Sequence, residues 1–324
     1  GVPTMGYKVF QLVENNSQPS NSTLQFTRTT MENQFLRTKI DKSSGLLAEL
    51  FDKQNQRHVL SEESGNLLQL LKNDKDDAWN IHFSTPPINL DRLYETSLVE
   101  FGPVRSTIKV VHGFCGEKRR HPTEDFPTSI FTQYISLYDG LPYLEVRNDV
   151  MWREEHKVLK VAFPFNVTAD MARYEIPYGS IERQTGFETP FEKARYEVPA
   201  QRWADLSDGD FGVALLNDCK HGYDTKGNVM RLSLLLAPTS PDPVADKGYH
   251  EFKYAVYPHK GDFRTGHVFR KGFEFNEPFI VSRVSAHKGD LPASFSFVTV
   301  EPRNVILNSI KVSEDFDDAL VLRV

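Results

Sequence analysis

The strongest constraint on how this chain can fold is a two-residue alternation of apolar and polar side chains. Leu144, Val146, Asn148, Val150 and Trp152 alternate with Glu145, Arg147, Asp149 and Met151. Successive side chains of a strand point to opposite faces, so this pattern builds a strand with one buried face and one wet face. Ile108, Val110, His112 and Phe114 repeat it, as do Phe252, Tyr254 and Val256 against Lys253, Ala255 and Tyr257. Further on, Phe295, Phe297 and Thr299 lead through Glu301-Pro302-Arg303-Asn304 into a run from Val305 to Val312. Asp139-Gly140, Ser43-Ser44-Gly45 and Ser207-Asp208-Gly209-Asp210 separate the runs as turns. Helix signals are few, and the leucine-rich stretch 65–71 is too brief to stand as one. The 23 Phe, 12 Tyr and 3 Trp suit the inner faces of packed sheets. The pattern predicts an all-β chain of β-sandwiches with Greek-key or meander connections.

A length of 324 residues allows a sizeable core, and corresponds to about two domains. Residues 14–30 are polar and contain proline, which reads as a loop or linker. Before them, Tyr7 to Val13 is a lone strand that must pair with something later or something missing. A large central block runs from Met31 to His259, and a second strand-rich segment follows Lys260-Gly261-Asp262. No internal repeat of fixed period is present. Gly1-Val2-Pro3-Thr4-Met5 lacks the pattern of a signal peptide. The last residues, Leu320-Val321-Leu322-Arg323-Val324, are an apolar strand pattern with no turn or polar tail, which predicts a piece of a longer polypeptide.

Charge and cysteine usage narrow the function classes. A net charge of −6 and a pI near 6.0 argue against a nucleic-acid binder that works by phosphate neutralisation. No apolar run is long enough to cross a bilayer, so no membrane partner is expected. The two cysteines, Cys115 and Cys219, can form neither a disulfide framework nor a four-cysteine zinc site, and are expected as buried hydrophobes. N-x-S/T sequons at Asn15, Asn21 and Asn166 matter only in a secreted protein. There is no P-loop, dinucleotide-binding GxGxxG, GxSxG elbow or HExxH, and the ten histidines are scattered.

Three segments carry chemistry, each with a plainer reading beside it. Trp203-Ala204-Asp205-Leu206-Ser207-Asp208-Gly209-Asp210 sets an indole beside carboxylates, a reasonable platform for a sugar's apolar C–H face and hydroxyl rim. The plainer reading is a hairpin turn with Trp203 in the core. Trp152-Arg153-Glu154-Glu155-His156-Lys157 offers an acid and a histidine on or beside a strand, or simply a charged strand end. Glu175-Ile176-Pro177-Tyr178-Gly179-Ser180-Ile181-Glu182-Arg183 reads as a bent loop presenting Tyr178 and Arg183, or as an ordinary crossover.

The string Phe191-Glu192-Lys193-Ala194-Arg195-Tyr196-Glu197-Val198-Pro199-Ala200-Gln201-Arg202-Trp203-Ala204-Asp205, followed by Gly212-Val213-Ala214-Leu215-Leu216-Asn217-Asp218-Cys219-Lys220-His221-Gly222-Tyr223, resembles the C-terminal half of glycoside hydrolase family 38 α-mannosidases. Pro241-Asp242, Ala245-Asp246-Lys247-Gly248 and Tyr257-Pro258-His259 continue the match. Upstream, Met31 to Arg37, Gly65-Asn66-Leu67, Ala78-Trp79-Asn80 and Pro177-Tyr178-Gly179 fall in the family's order. The resemblance covers nearly the whole chain and is closest to the cytosolic/vacuolar branch.

It implies an N-terminal α/β barrel and a helical bundle ahead of β-sandwich domains, the largest of them similar to galactose mutarotase. On that frame residues 1–30 are a linker strand and loop, 31–262 the mutarotase-like sandwich, and 263–324 an incomplete smaller β-domain. The family's zinc, nucleophile and general acid come from the barrel and bundle. This chain is therefore expected to hold no catalytic residue and no metal ligand, and to be inactive alone. Its implied partners are a mannose-containing oligosaccharide and the barrel of the same polypeptide, with homo-oligomerisation left open. The implied compartment is cytoplasmic, with a vacuolar or lysosomal type as the alternative. By position in the family's order, Tyr178, Trp203 and Asp205 are candidates for one wall of the substrate pocket, with Arg183 and His250 after them. Two departures stand out: Leu236 replaces a family arginine that approaches the pocket, and Asn80 stands where an aspartate is common. Leucine cannot supply an arginine's bidentate hydrogen bonding. Two other readings remain: a free-standing carbohydrate-binding or scaffold module, and a mutarotase-type epimerase using Glu154 and His156.

Overall fold

The computed structural model describes residues 2–3, 5–14, 22–73, 75, 78–83, 85–116, 127–285, 287–302 and 304–324. The sequons at Asn15 and Asn21 lie outside the described residues. The chain divides into two compact units, one of residues 21–278 and one that joins residues 1–20 to 279–324. The larger unit extends beyond 262 because the helix Val268–Asn276 packs on its sheet.

Three antiparallel sheets build the larger unit. A nine-stranded sheet carries, from one edge inward, Gly179–Gln184, Met171–Ile176, Trp203–Ser207, Phe211–Asn217, Gly248–Lys260 and Leu144–Trp152. A six-stranded sheet has Lys157–Pro164 and Val229–Leu236 at its centre, and a five-stranded sheet spans residues 25–58. One apolar core joins them, with Leu36 and Leu50 from the small sheet, Val161 and Phe163 from the second, and Phe131, Val146 and Tyr254 from the largest. The all-β expectation holds. The leucine-rich stretch becomes the strand Leu67–Lys72.

Inward positions of the nine-stranded sheet follow the alternation read from sequence. Val146 and Val150 are fully buried, and between them Asn148 is satisfied by a polar knot within the core. Gln133 Nε2 donates to Asn148 Oδ1 (3.0 Å) and to the Tyr254 hydroxyl (2.9 Å), and Tyr254 donates to Asn66 Oδ1 (2.6 Å). Each buried amide or phenol thus has a partner, which removes the desolvation penalty of leaving it unmatched. Part of the outer face of the same sheet is covered too. Trp203, Ala214, Leu216, Ala255 and Tyr257 form a second apolar cluster with Val268 and Phe275 of the helix.

His112 also sits inward, with its Nε2 2.6 Å from the Ser44 carbonyl. Desolvation holds its pKa below the ordinary histidine value, against smaller raising effects of the Ser44 carbonyl and Asp91. The unfolded chain therefore takes up this proton first, and stability should fall as pH drops below about 6.5, the unfolded value. The thermal midpoint of His112→Gln is expected to depend less on pH between about 7 and 5 than that of the parent. An unchanged pH dependence would remove this residue from the acid response.

The smaller unit pairs Gly6–Lys8 with Ser294–Ser296, so the early strand finds its partner near the other end of the sequence. Tyr7 donates to the Pro292 carbonyl at 2.7 Å. A second ribbon joins Ser309–Val312 to Leu320–Arg323. The cysteine expectation needs correction: both thiols are exposed, because each lies just outside a strand rather than within one.

Candidate functional site

Alternation along five neighbouring strands gathers polar groups on the outer face of the nine-stranded sheet. Asp205 pairs in register with Ala214 and Ala214 with Tyr257, while Ser207 pairs with Gly212 and Gly212 with His259. His259 and Asp205 are therefore two strands apart, on the same face. Gly212 has no side chain in the strand between, so the imidazole reaches across it. His259 Nε2 lies 2.7 Å from Asp205 Oδ2, and the two residues are 4 % and 1 % exposed. A Cβ on Gly212 would fall 2.4 Å from the His259 ring, and one on Gly266 would do the same from the other side. The imidazole is held between two glycines.

Asp205, although 1 % exposed, lines a cleft of about 270 Å³, which also carries Arg173, Glu182, Asp262, Phe263 and Arg264. Arg173 and Glu182 face each other across the hairpin of Met171–Ile176 and Gly179–Gln184 and form an ion pair, and Arg173 Nη1 donates to the Ser180 hydroxyl at 3.0 Å. Phe263 stacks on Trp203, with ring centroids 5.5 Å apart, and the guanidinium carbons of Arg173 and Arg264 each lie 4.6 Å from its centroid. The turn after His259 is fixed by Asp262, whose Oδ1 accepts from the Thr265 N–H and hydroxyl, both at 2.9 Å. The Thr265 N–H, with help from its hydroxyl, holds the Asp262 carboxyl below the usual carboxylate range. Carboxylates and guanidiniums around one opening can accept from and donate to a polyhydroxylated ligand.

The structure brings only some of the expected residues together. Asp205 is in the cleft. Trp203 is 1 % exposed, between Phe263 and the helix at Gly272, so it supports the cleft wall and offers no face to a sugar. Tyr178 stands at the tip of the hairpin, 74 % exposed and with positive φ, outside the cleft lining. Arg183 pairs with Ala172 and so points to the opposite face of the hairpin from Arg173. His250 lies at the other end of the strand that ends near His259, its Nε2 2.7 Å from the Asp246 carbonyl. His259, Arg173 and Phe263 were not singled out by sequence. The signal for His259 was a glycine opposite it, which only the strand register discloses.

Glu154 and His156 do not share a strand face, because Leu144–Trp152 ends before them and His156 has positive φ. Glu154 Oε1 accepts from the Thr128 and Ser129 hydroxyls, both at 2.9 Å, whereas His156 Nε2 lies 3.4 Å from the Thr239 hydroxyl. Among the described residues, no group of three or more His, Cys, Asp or Glu is placed to hold a metal ion.

The family model described as the glycosyl hydrolases family 38 C-terminal domain matches residues 31–244. The chain belongs to glycosyl hydrolase family 38. Alpha-mannosidase 2C1 of Homo sapiens is 34 % identical over 300 residues, which cover 91 % of this chain and 28 % of that protein. The alpha-mannosidase of Saccharomyces cerevisiae is 42 % identical over 166 residues, covering 51 % of this chain and 15 % of that protein. An alpha-mannosidase from Enterococcus faecalis V583 shares the fold, with a TM-score of 0.80 at 17 % identity, over 94 % of this chain and 37 % of that one. The family 38 chain thus spans less than a third of the curated relatives named here. The matched segment contains Arg173, Trp203, Asp205 and Gly212 but stops before His259 and Phe263.

Proposed function

We propose that this family 38 chain is the C-terminal β portion of a retaining α-mannosidase that removes terminal α-D-mannose from oligosaccharides. The observation that carries the reading is 34 % identity to alpha-mannosidase 2C1 over nine-tenths of the chain. Retaining hydrolysis uses two carboxyl groups about 5–5.5 Å apart, one attacking the anomeric carbon and one protonating the leaving oxygen. In this reading both belong to the barrel, as does the zinc, which would hold sugar hydroxyls when bound.

The part left to this chain is recognition. Asp205, fixed by His259, accepts a hydroxyl hydrogen bond at the cleft. Arg173 presents donors there, and Trp203 keeps Phe263 in place. Tyr178, at the exposed hairpin tip, and His250 remain candidates for contacts with the barrel or the sugar. The proposed compartment is the cytoplasm, a reading supported by the likeness to the cytosolic/vacuolar branch.

Hydrolysis of a chromogenic α-mannoside, with and without added zinc, tests the division of labour. The 324-residue chain is expected to show no turnover, and a longer polypeptide carrying a barrel is expected to turn over. Metal-dependent turnover by this chain alone would overturn the reading. In the longer polypeptide, Asp205→Asn is expected to raise KM about tenfold with little change in kcat, as for loss of a binding contact. A loss confined to kcat would move Asp205 out of recognition.

A further inference from the structure

We propose that Arg183, Arg195 and Lys226 form an oxyanion site that takes a phosphate group, as the free ion or as a sugar ester. It lies on the opposite face of the hairpin from the cleft and does not rest on the mannosidase reading. Arg183 pairs in register with Ala172, and Ala172 and Tyr174 of that strand are buried in the main core. The arginine side chain is therefore directed inward at the sheet's edge strand. It meets Arg195 at a small notch that Glu197 and Asp224 also line.

The charges around this notch do not balance. Lys160 Nζ lies 2.6 Å from Glu197 Oε1 and 2.7 Å from Asp224 Oδ2, and Arg231 Nη2 lies 2.7 Å from Asp224 Oδ1. Both carboxylates are thereby committed to Lys160 and Arg231. Glu192, whose charge interacts with that of Arg195, has its Oε2 accepting the backbone N–H groups of Glu188 (2.9 Å) and Thr189 (2.8 Å) at the start of a short helix. Among the described residues Arg183, Arg195 and Lys226 make no ion pair, and Arg183 Nε is buried with no hydrogen-bond partner. Lys226 lies beside the notch, its Nζ 4.4 Å from the centroid of Phe187, a lining residue. Burial, then the charge of Arg231, lowers its ammonium pKa against the raising effect of Asp224, with a smaller lowering from Lys160.

An anion answers each of these observations. Guanidinium presents a planar fork of donors that matches phosphate oxygens, and lysine adds a point charge. The notch has a volume of only about 10 Å³. One oxygen of the anion enters it toward Arg183 Nε, and the remaining oxygens stay at the mouth with Arg195 and Lys226. An uncharged sugar gives no comparable return for desolvating three cations.

Isothermal titration of the 324-residue chain at constant ionic strength tests the site. The probes are inorganic phosphate, glucose 6-phosphate, and glucose as the uncharged control. Phosphate is expected to bind with a Kd on the order of 1 mM or tighter, and glucose not to bind. Arg183→Gln and Arg195→Gln are each expected to weaken binding about tenfold, because a charge-assisted hydrogen bond is lost. Arg183→Lys keeps the charge without the fork and should weaken binding less than Arg183→Gln. Tighter binding of glucose 6-phosphate identifies the ester as the source, and equal binding identifies the free ion. Circular dichroism of each variant checks that the fold is retained. No heat from either phosphate, or phosphate binding unchanged in the folded Arg183→Gln and Arg195→Gln variants, overturns the proposal.

Discussion

Replacing Lys160 with methionine is expected to destabilise the chain by about 3–5 kcal/mol, the cost of breaking a buried ion pair from one side. Lys160 is 0 % exposed and sits at the centre of the six-stranded sheet, between Gln69 and Ser233 in register. Its ammonium bridges Glu197 and Asp224, and Phe83 covers it with a ring centroid 5.2 Å away. Methionine fills nearly the same volume, so cavity formation contributes little and the loss reports charge. Asp224 keeps Arg231, at 2.8 Å from its Nε, but among the described residues Glu197 keeps only the Ser233 hydroxyl. Adding Glu197→Gln to Lys160→Met should therefore recover part of the loss, by removing the carboxylate left without a cation. Urea denaturation of the two variants checks both statements. A single-variant loss below about 1 kcal/mol would mean that water replaces the ammonium at no structural cost.

Lys160 also shows where period-2 reading stops. The alternation at 144–152 is legible because the intervening Glu145, Arg147 and Asp149 stay partly solvated while their neighbours are buried. Around Lys160, every residue from Val158 to Pro164 is buried, because the sheet is covered on both faces. Strands covered on both faces read as continuous apolar runs, and a charged residue within one gives no local sign of its partners. Those partners lie 64 residues away at Asp224, and at Glu197. The end of the large unit was hidden for a related reason. Lys260-Gly261-Asp262 is a true turn, yet the helix after it returns to the outer face and buries Val268 and Phe275 against Trp203 and Tyr257. The sequence sets Trp203 beside Asp205, but a strand of five residues cannot reveal that the indole's far side is covered by residues about 60 positions later.

Gly212→Ala is expected to cost about 1–3 kcal/mol, and to do so mainly through His259. The added Cβ would lie 2.4 Å from His259 Cε1 and 2.7 Å from Nε2. The ring has little room to slide away, because Gly266 backs it so closely that a Cβ there would fall 2.4 Å from Cγ and Nδ1. Tyr257 locks that second glycine by donating to the Gly266 carbonyl at 2.8 Å. Moving the imidazole would break its 2.7 Å contact with Asp205 and leave a buried carboxylate without its partner. A double-mutant cycle isolates this route. In a His259→Ala background the methyl group meets an empty space rather than a ring, so Gly212→Ala should cost at least about 1 kcal/mol less than in the parent. A residual cost is expected from Ser207, whose Cβ lies 2.8 Å from the added atom. Additive losses would place the strain in the backbone of the strand instead. A coupled pair would mean that the glycine is there to let a histidine reach an aspartate two strands away, and that the cleft's shape depends on an atom that is missing.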